Sequence, residues 1–276
     1  MIAFSVLMSV YAKENPQWLR QSLSSILCEQ TVKPTQLILV ADGPLGSELE
    51  GVITYFQQLF NDIIEVLRLP HNVGLGYALN EGLQLCKFDL VARMDADDIA
   101  LPERFTRQLN FITQNPHIDI VGSYAEDMDA TGATIDVRKV PLVMEEIHAL
   151  IWSCPLIHPS VMFKKDVVLK AGSYSKTLKR RQDYDLWFRC ARNGAYFANI
   201  PEALIRYRIT DNTYARNSLK VSWQQAIIGY KGCRALSLGA KAHIGVFYPV
   251  VKALLPLKAR KALEGLIKRF DPRGGQ

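Results

Sequence analysis

The chain has 276 residues, of which 49% are hydrophobic and 22% are charged, so it is long enough to bury a sizeable core in one large domain. Its five cysteines are scattered and form no C-x-x-C pair, which argues against a zinc site or a disulfide framework and favours a reducing, cytoplasmic location. The net charge of +6 is uneven, because residues 217–276 contain 11 Lys and Arg but only two acidic residues, a net of +9.

Short apolar runs alternate with helical patterns in the first hundred residues. The run Phe4–Val10 predicts a buried strand rather than a signal peptide, and Asn15 followed by Pro16 predicts the start of a helix. Further strands and helices are predicted alternately at 37–40, 49–60, 63–69, 74–85 and 88–94. This alternation is typical of an α/β fold, with a mainly parallel central sheet and helices on both faces.

The second half of the chain is less regular. Two strands are predicted at 118–123 and 134–140, a helix at 183–193 and a late strand at 203–209. From about Tyr214 onward the pattern is helical, with breaks near two prolines. Because the charge balance changes near residue 215, we expect a main domain over 1–215 and a basic helical C-terminal extension over 216–276.

Asp95-Ala96-Asp97-Asp98 is the segment with the clearest chemical signal. It directly follows a buried strand, and its three carboxylates have only Arg93 as a local basic partner. A divalent cation such as Mg²⁺ or Mn²⁺ would relieve their repulsion and would complete its coordination shell with substrate phosphates. The alternative is a solvated acidic turn that caps the helix beginning near Pro102.

Five segments of the first half, taken together and in order, resemble the nucleotide-binding half of glycosyltransferase family 2, the inverting enzymes with the GT-A fold. They are Phe4–Tyr11, Leu23-x-Ser25-Ile26-x-x-x-Gln30-Thr31, Val40–Pro44, Asn72–Gly82 and Asp95–Asp98. A later segment, Arg181–Trp187, resembles the acceptor-side acidic motif of that family. The resemblance implies a nucleotide-binding half over 1–100, an acceptor-binding half over 101–215, and a UDP-sugar donor held with Mn²⁺ or Mg²⁺.

The resemblance also assigns the residues that would hold the base and the phosphates. Asp42 is expected to contact the base, although Ala41 replaces the second acid that the family usually has there. Ser9 and Tyr11 are expected beside the nucleotide, with a core aromatic as the alternative for Tyr11. The remaining donor contacts are expected from a helix start and from basic side chains: Asn72, Gly74, Asn80, Arg93, Arg206 and Arg208.

Within the acidic segment, the resemblance implies a division of roles. Asp95 would contact the ribose, Asp97 would be the principal metal ligand, and Asp98 would be an additional ligand. For Asp42 the alternative is an ordinary turn aspartate, since Asp-Gly-Pro is a natural turn sequence.

On the acceptor side, the resemblance implies that Asp183 is the general base, which takes the proton of the attacking hydroxyl. The alternative is that Asp183 caps its helix, and the two roles are compatible. His158 and Asp185 are expected on the acceptor side, with a buried structural histidine as the alternative for His158. For Arg206 and Arg208 the alternative is a pair of surface arginines flanking a buried tyrosine.

The basic tail favours a membrane surface as partner. Between Leu255 and Phe270 apolar residues form one helical stripe, with most of the lysines and arginines off it. No uncharged stretch approaches the roughly 20 residues of a membrane-spanning helix. We expect peripheral binding at the inner face of the cell membrane and no nucleic-acid partner, since no nucleic-acid motif is present. The alternative is a helix packed on the catalytic domain.

The sequence therefore predicts an inverting glycosyltransferase that moves a single sugar to a saccharide hydroxyl, since the Gln-x-x-Arg-Trp signature of processive relatives is missing. By family analogy the acceptor is a lipid-linked precursor of a bacterial surface polysaccharide. A sugar-nucleotide pyrophosphorylase is one alternative, but residues 9–14 lack its glycine-rich loop. The other is a degenerate nucleotide-sugar-binding subunit, which Ala41 and Leu79 allow, although the acidic segment and Asp183 argue against it.

Overall fold

The computed structural model describes residues 2–210 and 218–254. The predicted domain boundary near residue 215 and the predicted apolar stripe between Leu255 and Phe270 lie outside the described residues. The division into a domain over 1–215 and an extension over 216–276 therefore stays a prediction.

The described elements alternate between strands and helices in the first half of the chain, as predicted. The strands are β1 (Phe4–Val10), β2 (Gln36–Ala41), β3 (Ile64–Arg68), β4 (Leu90–Asp95), β5 (Ile99–Ala100), β6 (Ile120–Met128), β7 (Thr134–Arg138), β8 (Met162–Lys164) and β9 (Phe197–Arg208). The helices are α1 (Pro16–Leu27), α2 (Ser47–Leu59), α3 (Leu75–Leu85), α4 (Arg104–Gln114), α5 (Met144–Leu150), α6 (Lys165–Lys170), α7 (Gln182–Arg192), α8 (Leu219–Ala235), α9 (Ala240–Gly245) and α10 (Tyr248–Leu254).

The strands form one sheet in the order β3-β2-β1-β4-β8-β6-β9-β5, with β7 paired to β6. The first four strands are parallel, and β6 is parallel to β9. The short strand β8 is antiparallel to both β4 and β6 and joins the two halves of the sheet. Because the carboxyl ends of parallel strands meet at one edge, β1, β2 and β4 deliver their following residues to the same place.

Both faces of the sheet are buried, which explains why its strands are continuously apolar. Alternate residues of β1 point to opposite faces: Met8 belongs to the core that contains residues of α1, α2 and α4, while Leu7 belongs to the core that contains residues of α3 and α7. The predicted fold class, with a largely parallel sheet and helices on both faces, is confirmed.

The predicted start of α1 is also confirmed. The side chain of Asn15 accepts hydrogen bonds from the backbone N–H groups of Gln17 (2.8 Å) and Trp18 (3.3 Å). Pro16 occupies the first position of the helix, where a missing N–H costs nothing.

The late strand was predicted too short. In the structure it begins at Phe197 rather than at residue 203. The sequence pattern misses the first part of the strand because Pro201 interrupts the apolar run. In the sheet, Ser123 pairs with Ile200 and Tyr124 with Ala203, so the register shifts at this point and Pro201 is left out of the pairing. A proline that donates no ladder hydrogen bond is tolerated at such an irregularity.

The C-terminal helices pack on the main domain through close helix contacts. A Cβ added at Gly232 of α8 would collide with the ring of Phe188 on α7, and one at Gly229 would lie 2.5 Å from the hydroxyl of Tyr184. The two glycines therefore let α8 approach α7. Among the described residues, no helix combines the length and the apolar character that crossing a bilayer requires.

Candidate active site

The polar edge of the parallel sheet is formed where β1, β2 and β4 end. Ser9 lies in register with Val40 on one side and with Asp95 on the other. Asp42 directly follows β2, and Tyr11 directly follows β1 and is half-buried. The fold thus brings Ser9, Tyr11, Asp42 and Asp95 to one edge of the sheet.

Asp42 is 4% exposed, and its carboxylate is used to hold the loop before α3. It accepts hydrogen bonds from Asn72 Nδ2 (2.9 Å) and from the backbone N–H groups of Val73 (2.7 Å) and Gly74 (3.0 Å). Next to it, Gly43 has φ = 90°, and a Cβ there would lie 2.6 Å from the nitrogen of Asn72. These contacts explain why an aspartate and a glycine are needed here, while a contact of Asp42 with a base stays a prediction.

Gly74, with φ = 94°, is the N-cap residue directly before α3. Its positive φ is a conformation that favours glycine. On the same helix Asn80 is buried, whereas Gly82 serves packing, since a Cβ there would lie 2.6 Å from side-chain atoms of Leu7 and Val40. Nucleotide contacts of Gly74 and Asn80 stay predictions.

The carboxylates of Asp95, Asp97 and Asp98 converge, with one oxygen of each lying within 4.8 Å of the others. Asp98 is 1% exposed; its Oδ1 accepts a 2.8 Å hydrogen bond from the backbone N–H of Arg208, while its Oδ2 is buried without a hydrogen-bond partner. Burial, reinforced by Asp97 and Asp95, raises the pKa of Asp98 well above its ordinary value. Three convergent carboxylates, one with an unpartnered buried oxygen, fit the oxygen donor set of Mg²⁺ or Mn²⁺.

Two fully buried arginines lie beneath this acidic cluster. Arg93 donates to the carboxylate of Asp95 and, at 3.3 Å, to the carbonyl oxygen of Leu7. Arg104 donates through Nη2 to the carbonyl oxygen of Arg93 (2.6 Å) and through Nε to Gln108 (3.1 Å). Burial lowers the pKa of Arg104 to about 9, and the neighbouring Asp98 opposes this shift. Arg93 is thus occupied with Asp95, and its direct contact with a donor phosphate stays a prediction.

Residues of α1 and of the loop after it fix the backbone at the end of β4 and just beyond β5. Ser22 Oγ donates to the carbonyl oxygen of Asp95 (2.8 Å), and Gln30 Nε2 donates to that of Leu101 (2.8 Å). In the sequence, Gln30 belongs to the segment that resembles the family, but no pattern indicates its structural role. No sequence pattern indicates Ser22. Their roles depend on contacts with residues more than 70 positions away.

The two arginines at the end of β9 are bonded to the protein. Arg208 donates through Nε to the carbonyl oxygen of Asp97 (2.8 Å), and its guanidinium carbon lies 4.9 Å from the ring centroid of Trp18. Arg206 forms an ion pair of 3.3 Å with Glu126. In this structure Arg208 holds the acidic cluster and Arg206 holds β6; their contact with a diphosphate stays a prediction.

Asp183 lies in the first turn of α7, after Arg181, which adopts the left-handed conformation with φ = 63°. Burial raises the pKa of the Asp183 carboxyl, hydrogen bonds from the backbone N–H groups of Asp183 and Tyr184 oppose the rise, and Asp95 adds to it. Arg181, not Asp183, is the N-cap residue of α7, and it makes no side-chain cap hydrogen bond, so the capping alternative for Asp183 is not supported. A raised pKa suits a carboxylate that accepts a proton.

Asp185 and His158, the predicted acceptor contacts, are both tied into the protein. Asp185 forms an ion pair of 2.8 Å with Arg189. His158 is buried, and its Nε2 lies 3.0 Å from the hydroxyl oxygen of Tyr174. Burial and the charge of Arg93 lower the pKa of His158 well below its ordinary value, which makes it neutral. Their binding to an acceptor stays a prediction, and Tyr174 is a site neighbour that no sequence pattern indicated.

Comparison with known proteins agrees with this geometry. The model of the family described as glycosyl transferase family 2 matches residues 5–200. The chain belongs to this family. It is therefore a glycosyltransferase, which confirms the predicted family and enzyme class and excludes the sugar-nucleotide pyrophosphorylase considered as an alternative.

Two relatives of this glycosyltransferase carry informative names. The amylovoran biosynthesis glycosyltransferase AmsE of Erwinia amylovora is 40% identical over 206 residues, covering 74% of this chain and 76% of its own. The UDP-Gal:alpha-D-GlcNAc-diphosphoundecaprenol beta-1,3-galactosyltransferase of Escherichia coli is 36% identical over 271 residues, 97% of each chain.

Solved structures support the fold. S. aureus TarS 1–349 in complex with UDP-GlcNAc matches with a TM-score of 0.68 at 16% identity, covering 91% of this chain and 72% of that one. The mannosyltransferase PcManGT of Pyrobaculum calidifontis, in complex with GDP-Man and Mn²⁺, matches with a TM-score of 0.67 at 12% identity, covering 98% and 81%. The predicted GT-A fold is thereby confirmed.

Proposed function

We propose that this glycosyltransferase transfers a single sugar, with inversion, from a UDP-linked donor to a hydroxyl of a saccharide acceptor. The observation that carries the proposal is the relation between Asp183 and the acidic cluster. The charge of Asp95 helps to raise the pKa of the half-buried Asp183 carboxyl, and Asp95 belongs to three converging carboxylates that fit a divalent cation. A proton acceptor beside a metal-diphosphate site is the arrangement that single displacement requires.

The donor is held along the polar edge of the sheet. The base lies near Asp42 and the loop Asn72–Gly74, with Ser9 and Tyr11 beside the nucleotide. Asp95 contacts the ribose, held in place by Arg93 from beneath. UDP is the proposed nucleotide because the E. coli relative, similar over nearly its whole length, is named for a UDP-Gal donor.

Asp97 and Asp98 hold Mn²⁺ or Mg²⁺ in this proposal. When bound there, the ion would supply Lewis-acid chemistry that neutralises negative charge on the departing nucleoside diphosphate. The protein keeps these carboxylates close together. Hydrogen bonds from Arg208 to Asp97 and to Asp98 support this arrangement. Additional phosphate contacts come from Asn80, from Arg206, or from an Nη group of Arg208 while its Nε keeps the bond to Asp97.

Asp183 is the proposed general base. In its ionised form it takes the proton from the acceptor hydroxyl while that oxygen attacks the anomeric carbon on the face opposite the nucleoside diphosphate. The bond to the leaving oxygen breaks as the new bond forms, so the configuration inverts. Burial makes the carboxylate hold a proton more tightly than an exposed aspartate does, which makes it a stronger base.

The proposed acceptor is a lipid-linked saccharide in the synthesis of a bacterial surface polysaccharide, with His158 and Asp185 on its side of the site. The name of the E. coli relative specifies a sugar on diphosphoundecaprenol, and that of AmsE specifies amylovoran biosynthesis. An enzyme with such an acceptor works at the cytoplasmic face of the membrane, where the basic C-terminal extension over 216–276 is suited to peripheral binding.

The test measures binding and turnover separately. Calorimetry with UDP and Mn²⁺ is expected to show binding by the wild type and by Asp183→Asn, and none by Asp97→Ala. Transfer from a panel of nucleotide sugars is expected to be lost in Asp183→Asn. Asp62, which is exposed on the turn before β3, provides the matched control variants Asp62→Ala and Asp62→Asn.

Transfer at the wild-type rate by Asp183→Asn would remove this residue as the base. Metal-dependent UDP binding by Asp97→Ala would refute the assignment of the metal site. Binding of UDP by the wild type without hydrolysis or transfer of any donor in the panel would favour the degenerate nucleotide-sugar-binding subunit.

A further inference from the structure

Two stripes of exposed apolar side chains lie on the C-terminal helices. On α8 they recur at helical spacing, and their exposed fractions run from 43% to 52%. On α9 and α10 the exposed fractions run from 45% to 74%. The eight residues, here called the C-terminal apolar surface, are Leu219, Trp223, Ile227, Tyr230, Ile244, Tyr248, Val251 and Leu254.

The two stripes lie on neighbouring helices. The ring of Phe247, between α9 and α10, lies 6.1 Å from the ring of Trp223 and 6.3 Å from that of Tyr230. Leu219 and Trp223 of α8 also line a groove of about 490 Å³ together with Val250 and Leu254 of α10. The apolar side chains of the two stripes are therefore close enough to meet one partner.

The charged residues of the helices that carry this surface all have one sign. Residues 218–254 contain no aspartate and no glutamate, and five basic residues. These are Lys220, Lys231, Arg234, Lys241 and Lys252, of which all but the half-buried Lys252 are exposed. A second copy of this surface would bring like charges together, whereas an anionic partner would be attracted.

We propose that the C-terminal apolar surface docks on an anionic lipid bilayer. Trp223, Tyr230 and Tyr248 have the amphipathic rings that prefer the headgroup level, and the lysines complement the negative surface charge. The inference deepens the proposed function, since a lipid-linked acceptor is confined to a membrane. Because Gly232 packs against Phe188 on the helix that carries Asp183, docking through α8 also orients the proposed base relative to the bilayer.

The test is co-sedimentation of the full chain with phosphatidylcholine vesicles, with and without phosphatidylglycerol. The wild type is expected to bind the anionic vesicles. The variant W223S/I244S/L254S is expected to bind them at least about tenfold more weakly. The matched control is L59S/I135S/V137S, which removes three side chains of similar exposure from the catalytic domain and is expected to bind like the wild type. Circular dichroism checks that both variants are folded.

Vesicle binding is measured without a sugar donor, so its outcome is independent of catalysis, and donor hydrolysis is followed in a separate assay. Unchanged binding by the folded W223S/I244S/L254S variant would overturn the proposal and assign binding to residues 255–276. No binding by the wild type would also overturn it. Light scattering that shows a dimer for the wild type and a monomer for this variant would overturn the proposal as well. The surface would then join two copies of the chain.

Discussion

Arg208 donates through Nε to the carbonyl oxygen of Asp97, 111 residues earlier in the chain, at 2.8 Å. Its backbone N–H also donates to Asp98, so the end of β9 holds both proposed metal ligands. The planar guanidinium reaches Gln21 and Ala130 as well, which a lysine side chain cannot do at the same time. This contact makes the shape of the metal site depend on a residue outside the acidic segment.

We therefore predict that Arg208→Lys weakens Mn²⁺ binding by about 10- to 100-fold, the usual cost of losing a group that orients metal ligands. The measurement is a calorimetric titration with Mn²⁺ in the presence of UDP. Arg107→Lys is the control, because Arg107 is half-exposed and pairs only loosely with Glu202 at 3.4 Å. Equal weakening by both variants would contradict an orienting role for Arg208.

The raised pKa of Asp183 predicts the pH dependence of transfer. The base must be ionised, so kcat/KM falls as the pH drops through the pKa of Asp183. Because burial raises that pKa, the acid limb should lie at higher pH than the value of about 3.9 for an ordinary aspartate. A pH profile of kcat/KM tests this, with Asp166→Asn as a control that leaves the limb in place. An acid limb at or below the ordinary value would contradict the prediction.

Removal of the buried Arg104 is predicted to destabilise the fold. Arg104→Met leaves the carbonyl oxygen of Arg93 and the side-chain oxygen of Gln108 without their buried donor. Leaving a buried acceptor without its donor typically costs about 1–3 kcal/mol of unfolding free energy. Urea denaturation measures the loss, and Arg107→Met on the same helix should change stability by no more than about 0.5 kcal/mol. A similar result for the two variants would argue against the proposed support.

Two helix glycines provide a matched test of close packing. A Cβ at Gly76 of α3 would collide with the carbonyl oxygen of Ser175 and lie 3.3 Å from Cβ of Gln182, next to Asp183. Gly76→Ala should therefore destabilise the protein and reduce transfer, because α3 must move away from the start of α7. Gly51→Ala on α2 meets no atom within 4 Å and should stabilise by about 0.5–1 kcal/mol. Thermal unfolding measures the change in stability, and a transfer assay measures the change in activity. A Gly76→Ala variant with unchanged stability and activity would contradict the close approach of α3 to the start of α7.

The sequence predicted those parts of the fold whose signals are local. The run Phe4–Val10 is β1, and Asn15 caps α1 as expected. The two-residue strand β5 and the three-residue strand β8 were not predicted, because each exists only through distant pairing, such as Ile99 with Arg206 and Met162 with Ala92. Short runs carry no periodicity that could indicate such partners.

The same distinction applies to the site. Asp95, Asp97 and Asp98 could be placed at the strand edge, because a parallel sheet dictates where strand ends meet. The residues that support them, such as Arg104, could not be found, because their contacts depend on packing between separate elements. Local patterns indicate which groups carry the chemistry, whereas the groups that hold them become visible only in three dimensions.

The loop after β4 has a consequence for protein engineering. Its backbone is held at Asp95 by Ser22 and at Asp97 by Arg208, while Gln30 holds the backbone of Leu101 just beyond β5; these residues come from opposite ends of the catalytic fold. Grafting Asp95-Ala96-Asp97-Asp98 onto the strand end of another scaffold would transfer the carboxylates but none of these three anchors. Mutual repulsion would then spread the acids apart, so a transplanted site needs the anchors designed in before the metal can be expected to bind.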